Sequence, residues 1–264
     1  MILKDAEALA NSVSGPDDPP PAYANFPPSS PSPSPSQLAR GVPSPEPPAA
    51  LKPTNFLSLS RSNASIQGTY VIDPRINIPP FLQPPLAPDE TEATRRNVFV
   101  ETSFGGHIDV ELFVVGGEAV DSEHRQRVEM LLKSSNAGIT AKLHAPGSRP
   151  SIRLTAHSYY GHITLAIPRS FRGPVTVTTR FGSLKFAGDL AGAVTTLGEA
   201  DGTHRCFVGE LGDDWADAAD GWAGDEIRVE ATHRGVRLLY DTDAGAGGHD
   251  NGWGKGLFGK LLGL

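Results

Sequence analysis

The tetrapeptide Pro20-Pro21-Ala22-Tyr23 is the clearest chemical signal in this chain. Two prolines followed after one residue by tyrosine, in a proline-rich setting, are what a WW domain reads: a preorganised polyproline-II ligand whose Pro21 and Tyr23 fill the groove beside Pro20. The Ser-Pro steps at Ser30, Ser32, Ser34 and Ser44 could take proline-directed phosphorylation, which would add charge to the same region. At the other end, helical wiring of residues 253–264 puts Trp253, Leu257, Leu261 and Leu264 on one face. Phe258 and Leu262 lie beside that face, and Lys255 and Lys260 flank it. That pattern fits a helix lying in a membrane interface, although four glycines weaken it by about 1 kcal/mol each relative to alanine. The membrane-contact residues expected on this reading are Trp253, Leu257, Phe258, Leu261 and Leu262.

The other candidates do not assemble a reaction. His107 and His162 both sit in Gly-His-Ile, and His157 and His233 lie near similar corners, so stacked coils would bring two of them together as metal ligands. No paired cysteine or HExxH spacing accompanies them, and they read as ordinary exposed histidines. Gly254-Lys255-Gly256-Leu257-Phe258-Gly259 matches the dinucleotide fingerprint in letters only, because no strand precedes it. There is no GxSxG elbow and no Walker loop, and Asp213, Asp214, Asp217 and Asp220 do not follow calcium-loop spacing. Cys206 has no base partner in the sequence and is expected to be a buried small apolar residue. The expectation is a non-enzyme without cofactor or metal.

The elements that must carry these peptides are β-strands. Val98–Phe104 with Ile108–Leu112, Lys133–Leu143, Ile152–Ser158 with Ile163–Ile167, Val175–Phe181 with Leu184–Phe186, and Ile227–His233 with Val236–Tyr240 all alternate apolar and polar residues around a small or glycine-containing corner. Alternation is the period of a half-buried strand, and glycine lets the backbone turn where a Cβ would clash. The corners at Gly138, Gly161 and Gly182 recur at spacings of 23 and 21 residues, within the range of solenoid repeats. The fold class expected is mainly β, a repetitive β-strand domain that is either β-solenoid-like or a β-sandwich of consecutive hairpins. One short helix is placed at Glu118–Lys133, where Val120, Val128, Leu131 and Leu132 sit among charged residues. Residues 209–226, with seven acids, read as an acidic surface loop.

Composition sets the boundaries. Twenty of the 24 prolines precede residue 89, so 1–54 reads as a disordered Pro/Ser-rich tail, and 55–96 as short strands with a Pro-rich connection leading into the fold. Residues 97–242 form the β-rich domain, and 243–264 a Gly-rich hinge with the amphipathic C-terminal segment. A formal net charge of −7 argues against nucleic acid as a partner. A single cysteine and an N-terminus without an apolar stretch point to the cytoplasm, with peripheral membrane contact through the C-terminus.

Three stretches carry a family resemblance: Asn63–Pro74 (Asn-Ala-Ser-Ile-Gln-Gly-Thr-Tyr-Val-Ile-Asp-Pro), Ile167–Pro174 (Ile-Pro-Arg-Ser-Phe-Arg-Gly-Pro) and Cys206-Phe207-Val208-Gly209. With the glycine-corner repeats, they make residues 55–242 resemble a family of fungal proteins, mostly from mushroom-forming species, known as a domain of unknown function and numbered 7330. The resemblance implies a shared fold and no assigned activity. In such fungi, PPxY peptides are a handle for WW-bearing ubiquitin ligases, which makes the chain resemble a ligase substrate or adaptor. The rhythm of the repeats is also similar to that of bacterial adhesin-like β-repeat domains, a likeness of pattern that says nothing of adhesion.

Overall fold

The computed structural model describes residues 44–87, 89–116, 127–145, 148–212 and 222–244. Alternating segments there become pairs of strands, one pair to each coil. The pairs are β1 (Leu57–Arg61) with β2 (Ile66–Ile72), β3 (Val98–Thr102) with β4 (Ile108–Val114), and β5 (Val128–Ser134) with β6 (Ile139–His144). They continue with β7 (Ile152–Ser158) and β8 (Ile163–Ile167), then β9 (Gly173–Thr179) and β10 (Leu184–Phe186). After a four-residue helix α1 (Leu190–Ala193) and a hairpin of β11 (Val194–Ala200) and β12 (Thr203–Val208), the last pair is β13 (Glu226–Ala231) and β14 (Val236–Tyr240).

The first strand of each pair enters one sheet, ordered β1-β3-β5-β7-β13-β9-β12-β11, and the second enters another, ordered β10-β14-β8-β6-β4-β2. Within the coils every pairing is parallel; only β11, β12 and β9 pair antiparallel. Consecutive hairpins would be antiparallel, so the solenoid alternative is the one realised. Like positions stack in register: Ile66, Ile108, Ile139, Ile163 and Val236 form one inward column. Across the core, Val98, Met130, Leu154, Ile227 and Val175 form another. These columns belong to a single buried apolar cluster, which repays the ordering of the coils.

The coils do not stack in chain order. The chain completes β7 and β8, leaves a gap, builds β9 and β10 one position further along, and turns back through the β11–β12 hairpin. Only then does it place β13 between β7 and β9, and β14 between β8 and β10. Asp225, immediately before β13, fixes the insertion. Its carboxylate accepts from both terminal guanidinium nitrogens of Arg149 at 2.7 Å, from the backbone N–H of Ile152 at the start of β7 and from the N–H of Arg172 just before β9. The Trp222 indole N–H donates to the Asp225 carbonyl at 2.7 Å, and Arg127 donates to the Trp222 carbonyl.

Two expectations are corrected. The helix placed at Glu118–Lys133 is, from Val128 onward, strand β5, while residues 117–126 lie outside the described residues. Val128, Met130 and Leu132 point inward with period two, whereas Leu131 lies on the outer face between Phe99 and Thr155. One outward leucine made a strand look helical. Nor is the acidic stretch surface loop throughout, since Asp225 and Glu226 at its end are buried. Among the described residues, no helix is long and apolar enough to cross a membrane.

Candidate functional site

Each coil passes from the first sheet to the second through a short corner: residues 62–65, 103–107, 135–138, 159–162, 232–235 and 180–183 in stacking order. The corners nest closely. A Cβ on Gly161 would overlap the backbone carbonyl of Ala137, and one on Gly182 that of Arg234. Glycine is therefore required at these inner points of the corner, and the second residue of each corner stands in one column across the stack. Along the last three corners of the stack, that position is aromatic: Tyr160, then His233 from the inserted coil, then Phe181.

These rings touch. The Tyr160 and His233 rings stack at 4.8 Å and 12°, and His233 stacks on Phe181 at 5.3 Å and 18°. Tyr159 meets Tyr160 at 4.6 Å and His233 at 5.0 Å edge to face, and the Arg180 guanidinium lies 5.4 Å from the centroid of Phe181. Contacts of this kind contribute about 0.5–1.5 kcal/mol per aromatic pair beyond burial. Yet Tyr159 and Tyr160 are about half exposed, and Phe181 is 66% exposed. Phe104, two corners beyond Tyr160, is 69% exposed. Large apolar side chains are exposed elsewhere too, Phe81 and Leu82 among them, but at this corner the exposed rings touch one another.

Residues 55–243 match the family model described as Domain of unknown function (DUF7330). The chain belongs to this family. No curated protein matches the chain. Among solved structures, it is similar to a putative cell adhesion protein from Clostridium sporogenes, at 10% identity and a TM-score of 0.28 over 70% of this chain and 93% of that one. That likeness is too distant to inform function.

The DUF7330 domain also holds an acid–histidine–acid cluster around a buried imidazole. His144, at the end of β6, meets Asp241 through Nδ1 and Glu111 through Nε2, both at 3.0 Å, with Phe113 stacked on its ring at 4.6 Å. Both ring nitrogens are engaged and the side chain is buried, so the imidazole pins three coils together and has no nitrogen left for a substrate. Burial opposes its charged form, but hydrogen bonds and charge from Asp241 and Glu111 outweigh burial and raise its pKa above the ordinary histidine value. A raised folded-state pKa contributes stability that is complete below the unfolded value of about 6.5 and is lost as pH rises through the folded value. The melting temperature is therefore expected to fall as pH rises above about 6.5, and this component to vanish in His144→Asn. An identical slope in the variant would rule the cluster out as its source.

The histidines of the repeats do not converge in the DUF7330 domain. His107 and His162 occupy one column two coils apart with Gly138 between them, because the chain step from corner to corner is one coil. His107 bonds Ser65 at 2.7 Å and Gln67 at 2.6 Å, His157 bonds Glu230 at 3.0 Å, and His233 lies in the aromatic stack. A shallow hollow of about 350 Å³ on the first sheet is lined by Asp89, Arg96, Leu131, Lys133, Thr155 and His157. Its charges are spoken for: Arg96 pairs with Asp89, Lys133 with Glu101 and His157 with Glu230. Cys206 is buried, as its type suggested, and burial raises its thiol pKa, which leaves it unreactive.

Pro20, Pro21 and Tyr23, and Trp253, Leu257, Phe258, Leu261 and Leu262, lie outside the described residues. The aromatic edge is what sequence reasoning missed. Its signal is an aromatic residue directly before the corner glycine in Tyr160-Gly161 and Phe181-Gly182. The ring that joins them, His233, comes from a coil some fifty residues further along the chain.

Proposed function

We propose that this chain is a non-enzymatic interaction scaffold of the cytoplasm, in which the DUF7330 solenoid presents the aromatic corner as its contact surface. The N-terminal tail recruits a WW-domain ubiquitin ligase through Pro20, Pro21 and Tyr23. The observation that carries this reading is the corner itself, where four touching rings stand at the surface of an apolar-cored solenoid. The tail's proline-rich composition supports the recruiting role, since a polyproline-II peptide loses little entropy on binding. The fungal setting follows from the family resemblance and determines the lysate to use. Capture from such a lysate with the full chain is expected to retain a WW-bearing ligase and to lose it with Tyr23→Ala. Retention of the ligase by Tyr23→Ala would remove the recruiting role.

A second reading rests on the amphipathic wiring of 253–264, by which Trp253, Leu257, Phe258, Leu261 and Leu262 anchor the chain at a membrane surface. Deleting 253–264 would then release the chain from the membrane fraction, and unchanged fractionation would sink that anchor.

A further inference from the structure

We infer that the aromatic corner docks edge-on against an anionic lipid surface. This rests on the reading of the corner as the contact surface and names its partner. The three stacked rings favour an edge-on partner over a flat ligand. A base or a sugar ring stacks on an open aromatic face, but Tyr160, His233 and Phe181 turn their faces on one another, and Arg180 lies over Phe181. What remains open is a ridge of ring edges with the Tyr159 and Tyr160 side chains beside it. Such a ridge suits the boundary between headgroups and acyl chains, where amphipathic aromatic rings settle.

Charge selects the same partner. The chain carries a formal net charge of −7, yet the six corners hold Arg180 and Arg234 and no Asp or Glu. Arg61, at the end of β1, adds a further cation, bonded to the Ser65 carbonyl at 3.0 Å. Of the acids nearest this edge, Glu101 pairs with Lys133, Glu230 and Glu199 bond the His157 and His204 rings, and Asp109 stands exposed at the start of β4. Asp201 stands at the β11–β12 turn beyond the last corner. A cationic, aromatic edge on an acidic protein orients it toward anionic headgroups and turns the rest away from them. The inserted coil is what completes this surface, because His233 fills the space between Tyr160 and Phe181.

The test is co-sedimentation with phosphatidylcholine vesicles, with and without phosphatidylserine, using the full chain and the full chain lacking residues 253–264. Both are expected to bind the phosphatidylserine vesicles and to release as salt is raised. Arg180→Glu/Arg234→Glu is expected to weaken binding at least about tenfold. Tyr160→Ser/Phe181→Ser should weaken it comparably, with thermal melts showing that each variant is folded. Binding that disappears with residues 253–264, or that both variants retain, would overturn the inference. Retention on heparin without vesicle binding would overturn it too, in favour of an anionic sugar chain. In each of these cases the ligase capture stands or falls separately, on Tyr23.

Discussion

Asp225→Ala is expected to destabilise the domain by about 3–5 kcal/mol, the cost of leaving one half of a buried ion pair unmatched. The Arg149 and Asp225 side chains are only 5% and 8% exposed, so the guanidinium would lose its bidentate partner where water cannot replace it. The N–H groups of Ile152 and Arg172 would be orphaned at the same time, at about 1–3 kcal/mol each where they stay dry, though these terms overlap with the first and do not add. Because Asp225 bonds the entries of both β7 and β9, its loss loosens the seat of the strand between them. Against a total stability of about 5–15 kcal/mol, that is a large share. Glu101→Ala is the matched control. It removes a pair with Lys133 whose side chains are 26% and 52% exposed, and should cost under about 1 kcal/mol. Urea unfolding of the three proteins measures the difference, and equal midpoints for Asp225→Ala and the native chain would contradict it.

Much of the solenoid is legible from alternation alone. The runs Ile152–Ser158, Ile163–Ile167 and Val236–Tyr240 are strands with those same bounds, because each buries every second residue in one core. Gly161 and Gly182 are equally readable, since a Cβ there would strike the carbonyl of Ala137 or Arg234, whereas Gly138 holds a different corner position, level with His162. β5 is not legible in this way: Leu131 is apolar but faces outward, where Phe99 and Thr155 flank it, and one such residue shifts the apparent period. The β11–β12 hairpin escapes notice because β11 buries none of its residues and so carries no alternating signal. Asp225 and His144 are silent for a different reason. Their partners lie 76 and 97 residues away, and nothing local marks an aspartate or a histidine that a distant arginine or carboxylate will neutralise.

The order of the coils is the least legible feature and the one on which the surface depends. Sequence repeats imply a stack in chain order, in which Tyr160 would neighbour Phe181 and His233 would lie at the end. The observed registers instead place β13 and β14 inside the stack, so each gains a partner strand on both sides and the aromatic edge gains its middle ring. Two arrangements of one repeat thus differ in which corner residues are neighbours, and that difference is all or none. Adjacent coils lie about 4.8 Å apart and alternate ones about 10 Å, whereas a disulfide needs Cα atoms within about 7 Å. Mild oxidation of two double-cysteine variants in a Cys206→Ala background is the most direct measurement. Tyr160→Cys/His233→Cys is predicted to cross-link efficiently within one chain and Tyr160→Cys/Phe181→Cys to stay reduced. The opposite pattern would put the last coil at the end of the stack and dismantle the corner surface with it.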